Sequence, residues 1–187
     1  MLFLTLASAV ILGLIRGGKL TNLTKIRLLH PWLIFISVLL ESSLIFLSKY
    51  NIALARPIVF ISIAVQYLFL FLFVWLNRQL PYSILIGLGS LFNGLVILLN
   101  GGTMPLVDID PYIGNSNFTY EYLLNGNLPI YHIINEDTIL WFLGDIIRIP
   151  YPFSVFISIG DIFLYAGVFL LLQSLIAQKK AKKKQPD

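Results

Sequence analysis

Three carboxyl side chains stand apart from the other charges of this sequence. Glu41 and Asp161 each lie within a long apolar run, and Asp145 follows a glycine in the stretch Leu-Gly-Asp-Ile-Ile. A carboxyl group in an apolar medium must be paired, hydrated or protonated, because an isolated charge there is costly. Two neighbouring carboxyls also separate their pKa values, so that one can act as base while the other keeps its proton. These residues indicate either proton chemistry or the binding of a small ligand or cation.

Polar side chains recur at helical spacing in the same apolar runs. Gln66 and Asn93 lie in two of them, and Ser158 precedes Asp161 by three positions. Spacings of three and four place such residues on one helix face, and the simplest packing turns these faces toward one axis. We interpret Glu41, Gln66, Asn93, Ser158 and Asp161 as lining a binding site. For the amides and the serine, interhelical hydrogen bonding is the alternative interpretation.

A turn follows the fourth apolar run, in the stretch Asn-Gly-Gly-Thr-Met-Pro. Gly101 and Gly102 permit a tight turn with exposed amides, and Pro105 prevents the helix from continuing. We expect Asn100, Gly101 and Gly102 to belong to the ligand-binding site at that end of the chain's helices. For Asp145, a weak interfacial pair with Arg148 is the alternative interpretation.

The composition defines the elements that must position these residues. The chain has 187 residues, of which 58% are hydrophobic and 12% charged, and its mean hydropathy is +0.86. Soluble domains are about half apolar and about a quarter charged. A soluble enzyme, a nucleic-acid-binding protein and a disordered chain are therefore excluded, and the sequence predicts an all-α integral membrane protein. The absence of cysteine excludes disulfides and thiolate sites.

Five apolar segments approach the roughly 20 residues that a membrane-spanning helix needs. The first is short and is interpreted as an uncleaved span, because a basic residue follows it rather than precedes it. A Gly-, Asn- and Pro-rich acidic loop over 101–152 separates the last two spans, with a short interfacial helix from Asp137 to Ile147. The predicted spans are 2–15, 32–48, 57–76, 82–99 and 153–177, in one bundle over 1–177 that precedes a disordered basic tail at 178–187.

Positive charges predict the orientation of the bundle. Ten of the thirteen Lys and Arg residues lie on one side of the predicted spans and three on the other. The basic side is expected to be cytoplasmic, so the N-terminus lies outside, the C-terminus inside and the acidic loop outside. The predicted partners are the lipid bilayer, anionic lipid at the basic tail and another membrane protein. Neither nucleic acid nor a cofactor is expected.

Three stretches together resemble a known family over essentially the whole chain. They are Asn-Gly-Gly-x-Met-Pro at 100–105, Leu-Gly-Asp-Ile-Ile at 143–147 and Ser-Ile-Gly-Asp at 158–161. The resemblance is to an uncharacterised group of bacterial multi-pass membrane proteins known only as a domain of unknown function. It implies a location in the bacterial cytoplasmic membrane and supplies no activity.

A second resemblance concerns mechanism. Asp161 near the outward end of the last span, with Asp145 upstream, is similar to the aspartate pair of lipoprotein signal peptidase, which implies catalytic roles for both residues in activating a water molecule. The motifs depart from that family at two positions. Ile146 rather than an arginine follows Asp145, and Gly160 rather than an alanine precedes Asp161. The Ser-Ile-Gly-Asp stretch also resembles the Gly-x-Gly-Asp of presenilin-like proteases, with serine in place of the first glycine.

Two further interpretations remain open at this point. Glu41, Gln66, Asn93 and Asp161 could line a proton or cation pathway, although the apolar inner half of the fifth span favours a site that opens only outward. His132, with nearby acids, could hold a metal ion, but a lone histidine is more often part of a solvated loop, and no metal site is predicted.

Overall fold

The computed structural model describes residues 1–50, 52, 54–107, 130–150 and 155–177, without the side chain of Lys49. The middle of the predicted acidic loop, the first residues of the predicted fifth span and the basic tail at 178–187 lie outside the described residues.

Five long helices dominate the described part of the chain, as the apolar segments predict. They begin and end within a few residues of the predicted bounds, except at the start of the last. Pro57 lies in the first turn of the third helix, where its missing N–H costs nothing. The helices are α1 (Leu2–Ile15), α2 (Trp32–Lys49), α3 (Arg56–Leu76), α4 (Ser83–Leu99) and α5 (Ile159–Ile176), with a short 3-10 helix over Leu20–Lys25.

The helices pack in the order α2, α3, α4, α5, α1, and the α4–α5 contact is the most extensive. The first helix therefore lies at one end of the row, against the last. Its close approach depends on Gly13, where an added Cβ would lie 2.8 Å from Cγ2 of Ile176. At the same place the side-chain amide of Asn22 donates to the carbonyl of Ile176 at 2.9 Å.

Two of the described helices, α3 and α5, are long and apolar enough to cross a membrane, with mean hydropathies of 2.4 and 1.9. The helices α1 and α4 and the Trp32–Ser48 part of α2 are apolar but shorter. A helix of 17 residues such as α4 is about 26 Å long, against about 30 Å for the hydrocarbon core of a bilayer.

The described residues after α4 include four short strands, so the prediction of an all-α chain holds only for the long elements. β1 (Met104–Leu106) pairs in parallel with β2 (Tyr131–Ile133), and β3 (Ile147–Ile149) pairs antiparallel with β4 (Val155–Ile157). They lie where α4 ends and α5 begins, and we call this end of the bundle the strand end. The strands satisfy backbone groups of a loop that is partly buried.

The predicted interfacial helix from Asp137 to Ile147 is wrong. The described chain has one 3-10 turn over Trp141–Leu143, Leu140 adopts a positive φ of 52°, and the backbone is extended at Gly144. Asp145 then donates its N–H to the carbonyl of Pro105 at 2.8 Å. Pairing with β1 and β4 thus takes the backbone groups that a helix would have used, and the isoleucine-rich 146–149 stretch favours strand.

The predicted fifth span also begins too early. Val155–Ile157 is strand, and α5 begins after Ser158, whose Oγ accepts a hydrogen bond from the N–H of Asp161 at 2.9 Å. Serine is among the preferred N-cap residues because its side chain satisfies such an N–H. A polar cap beside an apolar run therefore determines where the helix starts.

Candidate functional site: an acidic cavity

One cavity of about 200 Å³ collects the polar residues of four helices and the strand end. Five of the side chains that the sequence singles out line it, and no Lys, Arg or His is among its described lining residues. The five are Glu41, Gln66, Asn93, Asp145 and Asp161. We call this space the acidic cavity.

Glu41 enters the acidic cavity from α2 and is held by α3. Gln66 donates from Nε2 to Oε2 of Glu41 at 3.1 Å. The backbone of Gln66 is fixed as well, because the hydroxyl of Ser37 donates to its carbonyl oxygen at 3.1 Å. This hydrogen bond orients the carboxyl group of Glu41, whose side chain lines the cavity.

Asp161 is held from α4 in a similar way. Asn93 donates from Nδ2 to Oδ1 of Asp161 at 2.9 Å, and its own Oδ1 accepts from the hydroxyl of Ser158 at 2.7 Å. Gly160 makes this network possible, since a Cβ there would collide with the amide of Asn93. The stretch Ser-Ile-Gly-Asp thus combines a helix cap, a close approach and an oriented carboxyl group.

Asp145 comes from the loop rather than from a helix, and its backbone is fixed on both sides. Its N–H donates to the carbonyl of Pro105 at 2.8 Å, and its carbonyl accepts from the N–H of Val107 at 3.3 Å. The approach to β1 needs Gly144, where a Cβ would lie 2.9 Å from Cβ of Pro105. The glycine before the aspartate is therefore a packing requirement that places the carboxyl group over the cavity.

The side chain of Asp145 differs from the other two carboxyls. It is 7% exposed, and its Oδ1 is buried without a hydrogen-bond partner among the described residues. Burial, with a smaller contribution from the charge of Asp161, raises the pKa of Asp145 to about 8. At neutral pH this group therefore keeps its proton unless a positive charge is brought to it.

Three tyrosines complete the polar wall and were not predicted as site residues: Tyr67, Tyr131 and Tyr165. Tyr165 follows Asp161 by four positions in the polar stripe of α5, which was a usable signal. Tyr131 lies in β2, and burial raises its pKa. Nothing in the local sequence distinguishes Tyr67 and Tyr131 from packing aromatics.

Asn100, Gly101 and Gly102 lie away from the acidic cavity. The side chain of Asn100 joins α4 to the loop: Nδ2 donates to the carbonyl of Ile139 at 2.8 Å, and Oδ1 accepts the N–H of Ile139 at 3.0 Å. Gly102 has a φ of +87° and lies against Phe60 of α3. Asn100 and Gly101 line a separate space, the strand-end pocket, whose volume is about 530 Å³.

His132 lies in the strand-end pocket and is held by two hydroxyl groups. Its Nδ1 is 2.8 Å from Oγ1 of Thr103, and its Nε2 is 3.2 Å from Oγ1 of Thr138. Burial lowers the pKa of His132. Within the described ranges, no three His, Asp or Glu side chains come together in a way that would hold one metal ion.

The acidic cavity can therefore bind and exchange protons in a defined way. Two carboxyls are oriented by amides, and the Oδ1 of a third, Asp145, has no hydrogen-bond partner among the described residues. A positively charged ligand would find acceptors on three sides, whereas an anion would meet no basic side chain among the described residues of the wall.

Comparison with known proteins identifies relatives without assigning an activity. An uncharacterized protein of Thermotoga maritima is 28% identical over 59% of this chain. The matched part spans 61% of that relative's length. No solved structure matches the chain significantly.

Residues 25–173 match a family described as a family of unknown function, DUF5317. The match includes Glu41, Gln66, Asn93, Asp145 and Asp161 of the acidic cavity. A family of unknown function is also what the sequence resemblance predicts. The chain belongs to this family of unknown function.

Proposed function

We propose that this protein is a multi-pass protein of the bacterial cytoplasmic membrane that binds a small organic cation in the acidic cavity. One observation carries the proposal: the side chain of Asp145 lines this cavity, and its Oδ1 is buried without a hydrogen-bond partner in the described part of the chain. An unpaired buried polar atom is costly unless something else pairs with it.

The distribution of polar and apolar side chains supports a membrane location. Phe35 is 73% exposed and Ile84 is 75% exposed, while Gln66 and Ser158 are buried at 6% and 0%. A protein in water arranges its side chains the other way round. Apolar helix surfaces around a polar interior suit lipid as the surrounding medium.

The orientation follows the positive charges, as proposed from the sequence. Arg16, Lys19 and Lys25 lie at the end of the bundle opposite the strand end, before and within the 3-10 helix that packs on α5. With that basic end in the cytoplasm, next to anionic lipid, the strand end and the acidic cavity face outward.

The size and charge of the cavity favour an organic cation. A volume of about 200 Å³ is of the same order as an engineered cavity of about 150 Å³ that accommodates benzene. The carboxyls are held on different helices and a loop, so they surround a ligand rather than converge on one point. Tyrosine rings in the wall also suit an ammonium group.

A matched pair of probe series tests the proposal. Purified full-length protein in a nonionic detergent is titrated with linear alkylammonium ions of one to six carbons and with the corresponding alcohols, and binding is followed by calorimetry. We expect saturable binding of an ammonium ion and at least tenfold weaker binding of the alcohol of the same length. Equal binding of both series would overturn the proposal.

Two variants identify the cavity as the place of binding. Asp145→Asn keeps the shape of the side chain and cannot take on the negative charge that Asp145 gains beside a bound cation, so ammonium binding should weaken at least tenfold. Asp137→Asn serves as the control and should leave ammonium binding in the acidic cavity unchanged, because Asp137 lies in the strand-end pocket. Unchanged binding in Asp145→Asn would place the ligand elsewhere.

The second candidate function is that of an intramembrane aspartyl peptidase. It is favoured by one observation: Asp145 and Asp161 line the same cavity, and the charge of Asp161 contributes to the raised pKa of Asp145. A protonated and an ionised carboxyl on one water molecule are the arrangement that such chemistry needs. In this scheme the ionised Asp161 takes a proton from the water as the water oxygen bonds to the peptide carbonyl carbon, while Asp145 donates its proton to the carbonyl oxygen. The resulting diol collapses when Asp161 passes its proton to the amide nitrogen and Asp145 recovers a proton from one hydroxyl, so that the C–N bond breaks and the amine and the carboxylic acid are released.

New protein termini distinguish this candidate from simple binding. Membranes from cells that produce the wild type, Asp145→Asn or Asp161→Asn are compared by mass spectrometry of terminal peptides. Peptidase activity predicts termini that are present only with the wild type. Identical termini in all three would reject it, and the calorimetric result would be unaffected.

A further inference from the structure

The strand-end pocket is distinct from the acidic cavity in size, position and charge. Its volume of about 530 Å³ lies between the start of α3, the end of α4, β2 and the turn over 135–138. The two spaces share Tyr131 as a common wall. The charged side chains in the described wall of the acidic cavity are all acidic, whereas this pocket presents charges of both signs.

Arg56 and Asp137 are the two full charges of the strand-end pocket. Arg56 begins α3, and Asp137 lies in the loop that leads toward Asp145. Both side chains line the pocket, and within the described part of the chain neither forms an ion pair or a side-chain hydrogen bond. Opposite charges that share a pocket without meeting leave room for a ligand that meets both.

The wall between these charges is fixed before any ligand binds. His132 spans from Thr103 to Thr138, and the hydroxyl of Thr138 donates to Oδ1 of Asn135 at 3.2 Å. The backbone N–H of Asp137 donates to the same oxygen at 3.0 Å. The loop that carries Asp137 is therefore held in place, which reduces the ordering cost of binding.

One side of the pocket is apolar. Leu54 and Val59 contribute to it, so an aliphatic group fits there while the charged groups of a ligand reach Arg56 and Asp137. A pocket with a cation, an anion and an apolar side matches a small amphipathic zwitterion.

We propose that the strand-end pocket binds a zwitterion, with its carboxylate or phosphate at Arg56 and its ammonium group at Asp137. A free aliphatic amino acid and a phosphatidylethanolamine headgroup share this chemistry. The site is independent of the cation site in the acidic cavity, whose described lining offers no basic residue for the anionic end of a zwitterion.

The primary test uses leucine and two analogues that each lack one charge. L-leucine, N-acetyl-leucine and leucinamide are titrated into the purified full-length protein in a nonionic detergent. We expect saturable binding of leucine, and at least tenfold weaker binding of each analogue. All three are also titrated into Asp145→Asn, in which cation binding in the acidic cavity is weakened. The difference from the wild type then measures how much leucinamide binds in the acidic cavity. Leucine binding should not change in that variant.

Single substitutions then assign the two ends of the ligand. Arg56→Gln and Asp137→Asn should each weaken leucine binding at least tenfold, while alkylammonium binding in the acidic cavity is retained. Retained alkylammonium binding also shows that each variant is folded. Wild-type affinity for leucine in both variants, or equal affinity for leucine and its analogues, would overturn the proposal.

A second arm identifies the source of the zwitterion. The protein is placed in nanodiscs of pure phosphatidylglycerol or with added phosphatidylethanolamine. If the ligand is a lipid headgroup, added phosphatidylethanolamine should weaken leucine binding. Phosphatidylethanolamine should also stay bound to the wild type, but not to Arg56→Gln, in native mass spectra. A free amino acid predicts equal leucine affinity in both nanodiscs. If neither leucine nor phosphatidylethanolamine binds, the proposal is wrong.

Discussion

Asn93 and Asp161 face each other across the α4–α5 contact, with the amide Nδ2 donating to the carboxyl Oδ1 at 2.9 Å. The other end of the same amide accepts the hydroxyl of Ser158. One side chain thus connects the helix cap of α5 to the carboxyl group one turn further on. This bridge makes the acidic cavity a product of helix packing, so changes to the packing should be felt in the site.

Asn93→Ala should destabilise the protein, because it removes the acceptor for the hydroxyl proton of Ser158 and the amide donor to Oδ1 of Asp161. Buried groups that lose a hydrogen bond in this way cost about 1–3 kcal/mol. Thermal unfolding in detergent measures the loss. Ser90→Ala is the matched control: Ser90 is buried on the same helix, and its hydroxyl bonds only to the carbonyl of Ile86. Similar losses in both variants would contradict the bridging role.

Gly160→Ala should be more harmful than an ordinary helical Gly→Ala change. The new methyl group would be forced against the amide of Asn93 and the carbonyl of Gly89, and overpacking of this kind costs about 1–3 kcal/mol. Gly87→Ala provides the comparison, since the nearest neighbour there is a methyl group of Val74 at 3.1 Å. We expect a lower Tm for Gly160→Ala and a nearly unchanged or higher Tm for Gly87→Ala. The reverse order would show that α4 and α5 are not this close.

Asp145 should make the stability depend on pH in a defined direction. The unfolded side chain titrates near pH 3.9, whereas in the native protein its pKa is about 8. Between these values the native state holds a proton that the unfolded state has lost, so stability falls as pH rises from about 4 to about 8 and is level above that range. In Asp145→Asn this contribution disappears, and Tm should rise by several degrees relative to the wild type at pH 8.

The difference in Tm between the two proteins, followed from pH 5 to 9 in detergent, is the measurement. Asp137→Asn gives the control, since Asp137 lies outside the acidic cavity and the change leaves Asp145 in place. A difference curve that is flat over the whole range would mean that the carboxyl group of Asp145 is solvated.

Two asparagines at helix ends allow a crossed test of the loop structure. Asn100 closes a two-way hydrogen bond with the backbone of Ile139, and Asn77 does the same with Leu29 at 2.8 and 2.9 Å. Asn100→Ala should therefore speed hydrogen exchange at the Ile139 amide and not at Leu29, while Asn77→Ala should do the opposite. Exchange that is unchanged at both amides would show that these contacts do not hold the loops.

The helices were predictable because their apolar runs are long and few charges interrupt them. Glu41, Gln66, Asn93 and Asp161 were predictable as a group because helical spacing and the cost of burying polar atoms act together. The strands β1 and β2, and with them Tyr131, were not predictable, since they depend on pairing between segments distant in the chain, such as Met104 with Tyr131. The error at 137–147 has the same cause: local preferences there allow a helix, and the β1 partner decides against it.

Asn100 shows the limit of interpreting a turn motif as a binding motif. Its position after an apolar run and before two glycines fits a ligand site and a helix end equally well. The side chain completes the last turn of α4 by donating to the carbonyl of Val96 at 2.7 Å, and it also fixes the loop. Only the three-dimensional neighbourhood of Ile139 separates the two interpretations.

The position of α5 between α4 and α1 has a consequence for biosynthesis. At a synthesis rate of about 5–20 residues per second, α1 exists for roughly 7–30 s before α5 begins to emerge. During that interval the face of α1 around Gly13 has no partner from its own chain, and Asn93 lacks Asp161. The acidic cavity therefore comes into existence only with the last helix, and a chain that stops before α5 has neither the site nor a partner for its first helix.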